Sequence, residues 1–304
     1  MTKDPRPDIS GRHNIPSPDA KTDSGRLAAA GVEKAATGRK KSIADLCAIN
    51  AFICDMDGVI YHGSRLLDGV TEFVDWLQKT GKRFVFLTNS SERSPRELRQ
   101  KLLRMGLDVD ESHFYTSALA TADFLARQSP RAGVYAIGEA GLLNALYDAG
   151  LTMNDVDPEF VVMGETRSFN YEKIEKAVHL IRTQGAKLVA TNPDVTGPAE
   201  HGLIPACGAL VAPIEMASGI KAYFVGKPNP LMMRHAMARL SAKREETVIV
   251  GDRMDTDIVA GVESGIETVL VLSGVTKPED LPNFAYRPGY VLPGVGAIPA
   301  GASC

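Results

Sequence analysis

A strand that ends in two carboxylates constrains this 304-residue chain more than any other feature. The apolar residues 51–54 are followed by Asp55, Met56, Asp57 and Gly58. Residues i and i+2 of a strand share a face, so the two acids repel each other unless a cation or a proton separates them. A divalent ion that prefers oxygen ligands, such as Mg²⁺, would stabilise the pair. The same residues are also typical of an ordinary turn, so the rest of the chain must decide.

The composition narrows the class of protein and its partners. Hydrophobic residues make up 44% of the chain and charged residues 23%, which is typical of a soluble globular protein with one or two domains. The net charge of −3 gives no indication of a nucleic acid polymer as partner, and no apolar run is long enough to span a membrane. The four cysteines form no CxxC pair, which argues against zinc and predicts free thiols in the cytoplasm. The sequence leaves open whether the protein forms a homo-oligomer.

The first 45 residues differ from the rest of the chain. They are rich in proline, glycine, serine and charged residues, and they end in a basic run at 39–41. The segment has no apolar core of a signal peptide, and its frequent aspartates argue against a transit peptide. We therefore predict a flexible leader over residues 1–45.

From residue 51 onward, strand-like and helix-like segments alternate. This alternation predicts parallel βαβ units with right-handed crossovers, and hence an α/β fold with a Rossmann-like, doubly wound parallel sheet. One helix is predicted from Ser94, which forms a capping box with Glu97, to Met105, before the capping Gly106. The predicted strands are 52–55, 83–88, 134–137, 160–163, 187–190, 223–225, 247–250 and 268–272, and the other helices are 70–79, 118–127, 142–149, 171–182, 231–241 and 255–264.

Polar residues follow several of these strands, and the carboxyl ends of parallel strands meet at one edge of the sheet. Thr88 and Asn89 end the strand 83–88, where a hydroxyl and an amide can bind phosphate oxygens, although a helix cap uses the same residue types. Lys227 follows the strand 223–225. Its ammonium would neutralise a phosphate and a neighbouring carboxylate.

A further group of acids follows the strand 247–250. Asp252 lies at the end of this strand and is a candidate metal ligand. Asp255 and Asp257 come at the start of the next helix, where they also suit the helix dipole. Together with the two acids after the first strand, we therefore expect three acids (Asp55, Asp57 and Asp252), a Thr–Asn pair and a lysine at one edge of the sheet.

These motifs, in this order and spacing, resemble those of the haloacid dehalogenase (HAD) superfamily of phosphotransferases. The resemblance covers residues 50–290 and narrows to the NagD-like subfamily (class IIA), in particular its bacterial ribonucleotide monophosphatases. The superfamily motifs correspond to Asp55–Val59, Thr88, Lys227 and Gly251–Asp257, and the stretches similar to the subfamily are 115–118, 120–125, 162–168, 191–194, 205–210, 225–228 and 246–252.

The resemblance implies a domain organisation. In this subfamily an α/β cap domain of the C2 type is inserted between the second and third motifs. Accordingly, we predict a hydrolase core at residues 46–127 and 220–292, a cap at 128–219, and a C-terminal tail at 293–304.

The resemblance also implies a two-step mechanism. Asp55 would be the nucleophile that forms an aspartyl-phosphate, and Asp57 would be the general acid and base. A Mg²⁺ ion would be held by Asp55, by the backbone carbonyl of Asp57, and by Asp252. Because dehalogenases and P-type pumps of this superfamily lack the second acid, Asp57 favours hydrolysis of a phosphate ester.

The remaining site residues have supporting roles under the same resemblance. Thr88, Asn89 and Lys227 would bind the phosphoryl group of the substrate. Asp257 would orient the motif from behind the metal ligands.

The predicted substrate is a small phosphate monoester, and we favour nucleotide 5′-monophosphates. Relatives that act on pyridoxal 5′-phosphate carry a histidine where this chain has Gly197, and His201 is offset from that position. Arg253, in contrast, is more similar to eukaryotic members of the subfamily. Pyridoxal phosphate, phosphoglycolate and sugar phosphates stay open as substrates. The activity of a phosphomutase, or phosphate binding without catalysis, also stays open as the function.

Overall fold

The computed structural model describes residues 41–199 and 202–301. In chain order, the strands are β1 (Ala51–Asp55), β2 (Tyr61–His62), β3 (Arg65–Leu66), β4 (Arg83–Thr88), β5 (Phe114–Thr116), β6 (Gly133–Ile137), β7 (Thr152–Met153), β8 (Phe160–Met163), β9 (Lys187–Ala190), β10 (Thr196–Ala199), β11 (Gly202–Pro205), β12 (Tyr223–Phe224), β13 (Thr247–Gly251), β14 (Glu267–Val271) and β15 (Tyr290–Leu292). The helices are α1 (Val70–Lys79), α2 (Pro95–Arg104), α3 (Ser117–Gln128), α4 (Ala140–Asp148), α5 (Tyr171–Gln184), α6 (Cys207–Ser218), α7 (Pro230–Arg239), α8 (Val259–Ser264) and α9 (Ala297–Gly301).

A six-stranded parallel sheet forms the core of the fold. Its strand order is β15–β14–β13–β1–β4–β5, and every neighbouring pair is parallel. The chain runs outward from β1 to β4 and β5 on one side, and from β13 to β14 and β15 on the other. Because ligands of open α/β sheets bind where the strand order reverses, the end of β1 is the expected position of the site. The predicted α/β fold with a doubly wound core is confirmed.

Both faces of this sheet are buried, as the continuous apolar strands require. Along β1, Phe52 and Cys54 lie in one hydrophobic cluster, and Ile53 lies in another. Helix α1 covers the first cluster with four buried residues at helical spacing, as predicted. The capping box of α2 is also present: the Ser94 side chain accepts from the Glu97 N–H, and the Glu97 carboxylate accepts from the Ser94 N–H.

A second parallel sheet has the order β12–β9–β8–β6–β7. Its strands come from residues 133–224, and one of its faces packs into the same cluster as Ile53 of β1, through Val134 and Val162. Strand β12 pairs with β9 in this sheet. The prediction that the segment 223–225 lies in the core sheet is wrong, since the strand before Lys227 belongs to the second sheet.

Several further elements were not predicted. The hairpin β10–β11 and helix α6 lie in a stretch rich in glycine and proline, and α6 even contains Pro213. The predicted helix 255–264 begins instead with a π-helical turn, Met254–Ile258, before α8. Short 3₁₀ helices form at Ile43–Ala48, Glu111–His113, Arg244–Glu246 and Pro278–Asn283.

The two ends of the described chain are folded. The predicted leader lies outside the described residues except for 41–45, where Ser42 caps a 3₁₀ helix and Asp45 completes the capping box. Within the predicted tail, Val295 and Ile298 are buried in the core. Folded structure therefore extends beyond the predicted core on both sides.

The cysteines differ from the prediction in one respect. Cys54 and Cys207 are buried free thiols, but Cys47 is disulfide-bonded. The expectation of a free thiol is therefore wrong for Cys47 and confirmed for Cys54 and Cys207. Within residues 41–199 and 202–301, none of the helices combines the length and the apolar character that a membrane crossing requires.

Candidate active site

Most of the predicted site residues meet at the carboxyl edge of the core sheet. Asp55 is the last residue of β1, Thr88 is the last residue of β4, and Asp252 follows β13 directly. Lys227 reaches the same place from the loop between β12 and α7. The site is therefore built by the core sheet together with a loop that leaves the second sheet.

Lys227 is the centre of a buried ion-pair network. Its Nζ donates to Asp55 Oδ1 at 2.6 Å and to Asp257 Oδ1 at 2.7 Å. The Lys227 side chain is 3% exposed and that of Asp257 is fully buried. Burial by itself would lower the pKa of Lys227, but the carboxylates of Asp257 and Asp55 outweigh it and raise this pKa above the ordinary value. The lysine is therefore a fixed cation that holds the nucleophile candidate in place.

Three carboxylates form a cluster around this cation. Oxygen atoms of Asp55, Asp252 and Asp257 all lie within 4.8 Å of one another. Burial raises the pKa of Asp55 well above its ordinary value; Lys227 opposes this shift, and the two neighbouring acids add to it. Burial and the nearby Asp257 raise the pKa of Asp252 to about 7. If all three carboxylates are ionised, the cluster carries more negative charge than one lysine compensates.

Asp252 shows where a cation would fit. Its Oδ2 accepts the Val275 N–H at 2.7 Å, whereas Oδ1 is buried and has no hydrogen-bond partner among the described residues. A buried, unpartnered carboxylate oxygen is costly unless a cation occupies its free side. The donor set is entirely oxygen, which suits Mg²⁺. The residues present therefore fit a magnesium ion.

Two glycines bring the backbone close to Asp252. Gly58 has φ +78°, and a Cβ built on it would lie 2.5 Å from Asp252 Oδ2. A Cβ on Gly274 would lie 1.9 Å from the same oxygen. Both positions therefore require glycine, for a turn in one case and for close approach in both.

We expect Gly274→Ala to displace the Asp252 carboxylate. A shift of about 1 Å in a catalytic group costs about 10²-fold, and we expect a loss of this size in kcat/KM for p-nitrophenyl phosphate with Mg²⁺ present. Gly294→Ala is the matched control, because nothing lies within 4 Å of a Cβ there. Equal activity of the two variants would contradict the proposed importance of the Asp252 position.

Asp57 lies apart from the acidic cluster. Its Oδ2 accepts a hydrogen bond from the Tyr61 hydroxyl at 3.1 Å. Burial raises the pKa of Asp57, while Lys101 opposes the shift. A carboxyl group with a raised pKa can hold a proton at a pH where an ordinary aspartate has lost it. The two acids of the opening motif thus have different surroundings, as different chemical roles require.

The side chains of Thr88 and Asn89 have different hydrogen-bond partners. The Thr88 hydroxyl accepts the Ser90 N–H at 3.1 Å. Asn89 Nδ2 donates to Asp194 Oδ2 at 2.8 Å and to the Lys227 carbonyl at 2.9 Å, and its Oδ1 accepts the Lys227 N–H at 2.8 Å. Both amide protons of Asn89 are thus in use. The Asn89 side chain orients Lys227, a role that its position in the sequence did not predict.

Asp257 contacts the site directly. It bonds to Lys227, and its Oδ2 also accepts the Arg253 N–H at 3.1 Å. Gly251 permits this arrangement, since a Cβ there would lie 2.2 Å from the Asp257 Cβ. Asp257 is therefore itself a candidate metal ligand, in addition to its predicted role of orienting the other ligands.

Other polar residues near the site had no predicted catalytic or binding role. Asp194 accepts from Asn89 and lies 3.5 Å from Arg253 Nη1, while Arg253 forms a bidentate pair with Asp255 at 2.8 and 3.0 Å. The position of Asp194 after β9, at the edge of a parallel strand, was the available signal. Nothing local in the sequence indicates that a second sheet brings Asp194 against the first.

Comparisons with known proteins agree with this geometry. Residues 52–152 match the family model of haloacid dehalogenase-like hydrolases, and residues 224–298 match a HAD-hydrolase-like model. The ribonucleotide monophosphatase NagD of Escherichia coli K12 is 45% identical over 250 residues, which cover 82% of this chain and 98% of that protein. A dihydroxyacetone phosphatase of Corynebacterium glutamicum strain R is 43% identical over 242 residues, covering 80% and 88%.

Solved structures show the same relationship. NagD from E. coli K-12 matches with a TM-score of 0.78 at 45% identity, covering 82% of this chain and 97% of that chain. A 4-nitrophenylphosphatase from Thermotoga maritima matches with a TM-score of 0.79 at 36% identity, covering 83% and 96%.

The fold and its acidic sheet edge define an α/β phosphatase, a phosphoric monoester hydrolase, as the named relatives are. The chain belongs to the haloacid dehalogenase superfamily and, within it, to the NagD-like subfamily. The resemblance stated from the motifs is therefore confirmed.

Proposed function

We propose that this phosphatase hydrolyses nucleotide 5′-monophosphates, depends on Mg²⁺, and works through an aspartyl-phosphate on Asp55. The observation that carries the proposal is the contact of Asp55 with Lys227 at 2.6 Å, with the second acid, Asp57, held apart from it. One carboxylate is thus paired with a cation and kept available for attack. The other can gain and lose a proton.

In the first step, an oxygen of Asp55 attacks phosphorus, a new P–O bond forms, and the bond to the leaving oxygen breaks. Asp57 gives its proton to that oxygen, which leaves as an alcohol. In the second step, Asp57 takes a proton from water, and the resulting hydroxide attacks phosphorus. Inorganic phosphate and the Asp55 carboxylate are released.

The rest of the site binds the phosphoryl group. Lys227 supplies positive charge beside Asp55, and the hydroxyl of Thr88 donates to a phosphoryl oxygen. Because the amide protons of Asn89 are in use, we assign its contribution to the orientation of Lys227. Asp55, Asp252 and the backbone carbonyl of Asp57 would hold Mg²⁺, which when bound neutralises phosphoryl charge.

The substrate assignment rests on the relatives and on one position in the hairpin β10–β11. A relative named ribonucleotide monophosphatase is 45% identical, and Gly197 replaces the histidine associated with pyridoxal phosphate. Other relatives are named dihydroxyacetone phosphatase and acid sugar phosphatase. We propose that the second sheet and its hairpin form the cap that selects the substrate.

A substrate panel tests this proposal. Nucleotide monophosphates, dihydroxyacetone phosphate, sugar phosphates, phosphoglycolate and pyridoxal phosphate are ranked by kcat/KM with Mg²⁺ and with EDTA. We expect nucleotides to rank first, and EDTA to abolish turnover reversibly. If a sugar phosphate ranks first, the proposed nucleotide substrate is wrong. Full activity in EDTA would contradict the proposed dependence on Mg²⁺.

Asp57→Asn separates the two steps. Nitrophenolate leaves without protonation, so the first step should survive, while the second loses its base at a cost of about 10²- to 10⁴-fold. We expect a burst of about one nitrophenolate per active site followed by slow turnover, measured by stopped-flow absorbance. Steady turnover at the wild-type rate would contradict the role of Asp57.

A further inference from the structure

Glu165 forms a hydrogen-bonded link between the two sheets that the proposed mechanism does not use. It lies two residues beyond β8 of the second sheet and is half-buried. Its Oε2 accepts from both the N–H and the hydroxyl of Ser91, each at 2.6 Å. Its Oε1 accepts from Asn192 Nδ2 at 2.9 Å. Three donors therefore converge on one carboxylate.

The proton positions in this group follow from the contacts. The Ser91 hydroxyl oxygen accepts the Glu165 N–H at 3.0 Å, so its own proton is directed at the carboxylate. Asn192 Oδ1 accepts the Asp194 N–H at 3.1 Å, which fixes the orientation of the Asn192 amide. Only a group that accepts on both oxygens satisfies all of these donors, which a carboxylate does and an amide cannot.

Asn192 connects this hydrogen-bonded group to residues 88–90, at the end of β4. It also donates to the carbonyl of Asn89 at 2.8 Å, and the Ser117 hydroxyl donates to the same oxygen. The peptide unit is planar, so fixing this carbonyl also fixes the N–H of Ser90 on its opposite side. That N–H donates to the Thr88 hydroxyl oxygen at 3.1 Å.

The orientation of the Thr88 hydroxyl thus depends on the link. A hydroxyl that accepts one hydrogen bond keeps its own proton for another acceptor. In the proposed mechanism that acceptor is a phosphoryl oxygen of the substrate. We propose that Glu165 is a positioning residue: through Asn192 it orients the hydroxyl of Thr88 toward phosphate. The inference rests on the proposed phosphoryl-binding role of Thr88.

The test compares Glu165→Gln in two backgrounds. The probe is inorganic phosphate, measured as a competitive inhibitor of p-nitrophenyl phosphate hydrolysis with Mg²⁺ present. Glutamine has the shape of the carboxylate but presents an amide nitrogen to Ser91 or Asn192. In the wild-type background we expect Ki for phosphate and KM to rise together by about tenfold, the size of one lost hydrogen bond to a charged group. We expect kcat to change less than about threefold.

The second background distinguishes positioning from a general structural effect. In a Thr88→Val protein the hydroxyl is absent, so Glu165→Gln should raise Ki by less than about twofold more. Glu159→Gln is the matched control: Glu159 precedes β8 at its other end, accepts from the Ser129 hydroxyl, and pairs with Lys187. We expect its Ki to equal that of the wild type.

Each outcome decides the inference. Equal increases in both backgrounds, or an unchanged Ki in Glu165→Gln, would overturn it while leaving the phosphatase proposal in place. An inactive wild-type protein would instead contradict the proposed function. If Glu165→Gln does not fold, as judged by its melting curve, Ser91→Ala takes its place in the same two backgrounds. It removes one donor to Glu165, and we expect about a threefold rise that Thr88→Val abolishes.

Discussion

Asp55→Asn should reduce turnover of p-nitrophenyl phosphate and of nucleotide monophosphates by at least about 10⁴-fold, because an amide cannot form the phosphoryl-enzyme. The nucleophile is not replaceable by its neighbours. Asp252 and Asp257 lie close by, but Asp257 is fully buried against Lys227 and Asp252 is bound to the Val275 N–H. The measurement is kcat with saturating Mg²⁺, together with phosphate incorporation into the acid-quenched protein.

The control and the contradicting result are direct. The control is Asp75→Asn, which changes an exposed aspartate on the surface of α1. Within the described residues, its ion pair is with Lys79. This variant should retain full activity. Turnover of Asp55→Asn within about tenfold of the wild type would exclude covalent catalysis at this position. Loss of activity without loss of phosphate incorporation would place the phosphoryl group elsewhere.

The same substitution should not destabilise the metal-free protein. Burial raises the pKa of Asp55 in the folded state, so its stabilising contribution is full below the unfolded pKa and is lost as the pH rises through the folded pKa. At neutral pH the ionised form costs stability. Asparagine removes that cost, although it also weakens the contact with Lys227. In EDTA we therefore expect the unfolding free energy at pH 7 to be no lower than that of the wild type.

The core of this site could be predicted from the sequence because its determinants are local. Residues 51–58 specify a buried strand, two acids two positions apart, and a glycine turn. The strand 83–88 and the helix 70–79 have the predicted bounds, since each depends on apolar spacing within one segment. In a parallel sheet, the carboxyl ends of strands that are distant in the sequence then lie at the same edge of the sheet.

What could not be predicted depends on contacts between segments far apart in the chain. Tyr223–Phe224 is a short apolar segment, and nothing local decides which of two sheets it joins. Helix α6 has apolar residues on all sides and an internal proline, so it lacks the periodic pattern that identifies a surface helix. The partners of Asn89 come from 105 and 138 residues away.

The roles of the acids show the same division. From the sequence, different roles could be assigned to Asp55 and Asp57 only because of the family resemblance. The structure adds a physical difference, since Asp55 contacts Lys227 and Asp57 contacts Tyr61. The direct contact of Asp257 with Lys227 depends on Gly251, whose missing side chain lets the Asp257 Cβ approach.

Lys227→Met should produce the largest loss of stability among single substitutions in the site. Removing one partner of a buried ion pair costs about 3–5 kcal/mol, because the remaining charge stays buried without compensation. Here two carboxylates, Asp55 and Asp257, lose their cation, and methionine fills a similar volume. The measurement is the free energy of unfolding in urea with EDTA present, so that only the charges of the chain contribute. Activity should be lost as well.

The sign of the pH dependence distinguishes charge from packing. Lys227 lowers the otherwise raised pKa of Asp55, so its removal lets that pKa rise further. At low pH the carboxyl group is protonated and needs no cation, so the difference from wild type should shrink from pH 8 toward pH 5. Lys187→Met, which breaks an exposed pair with Glu159 at 3.2 Å, should cost less than about 1 kcal/mol at either pH. A loss in Lys227→Met that is equal at pH 5 and pH 8 would mean that packing of the side chain, rather than its charge, holds the site together.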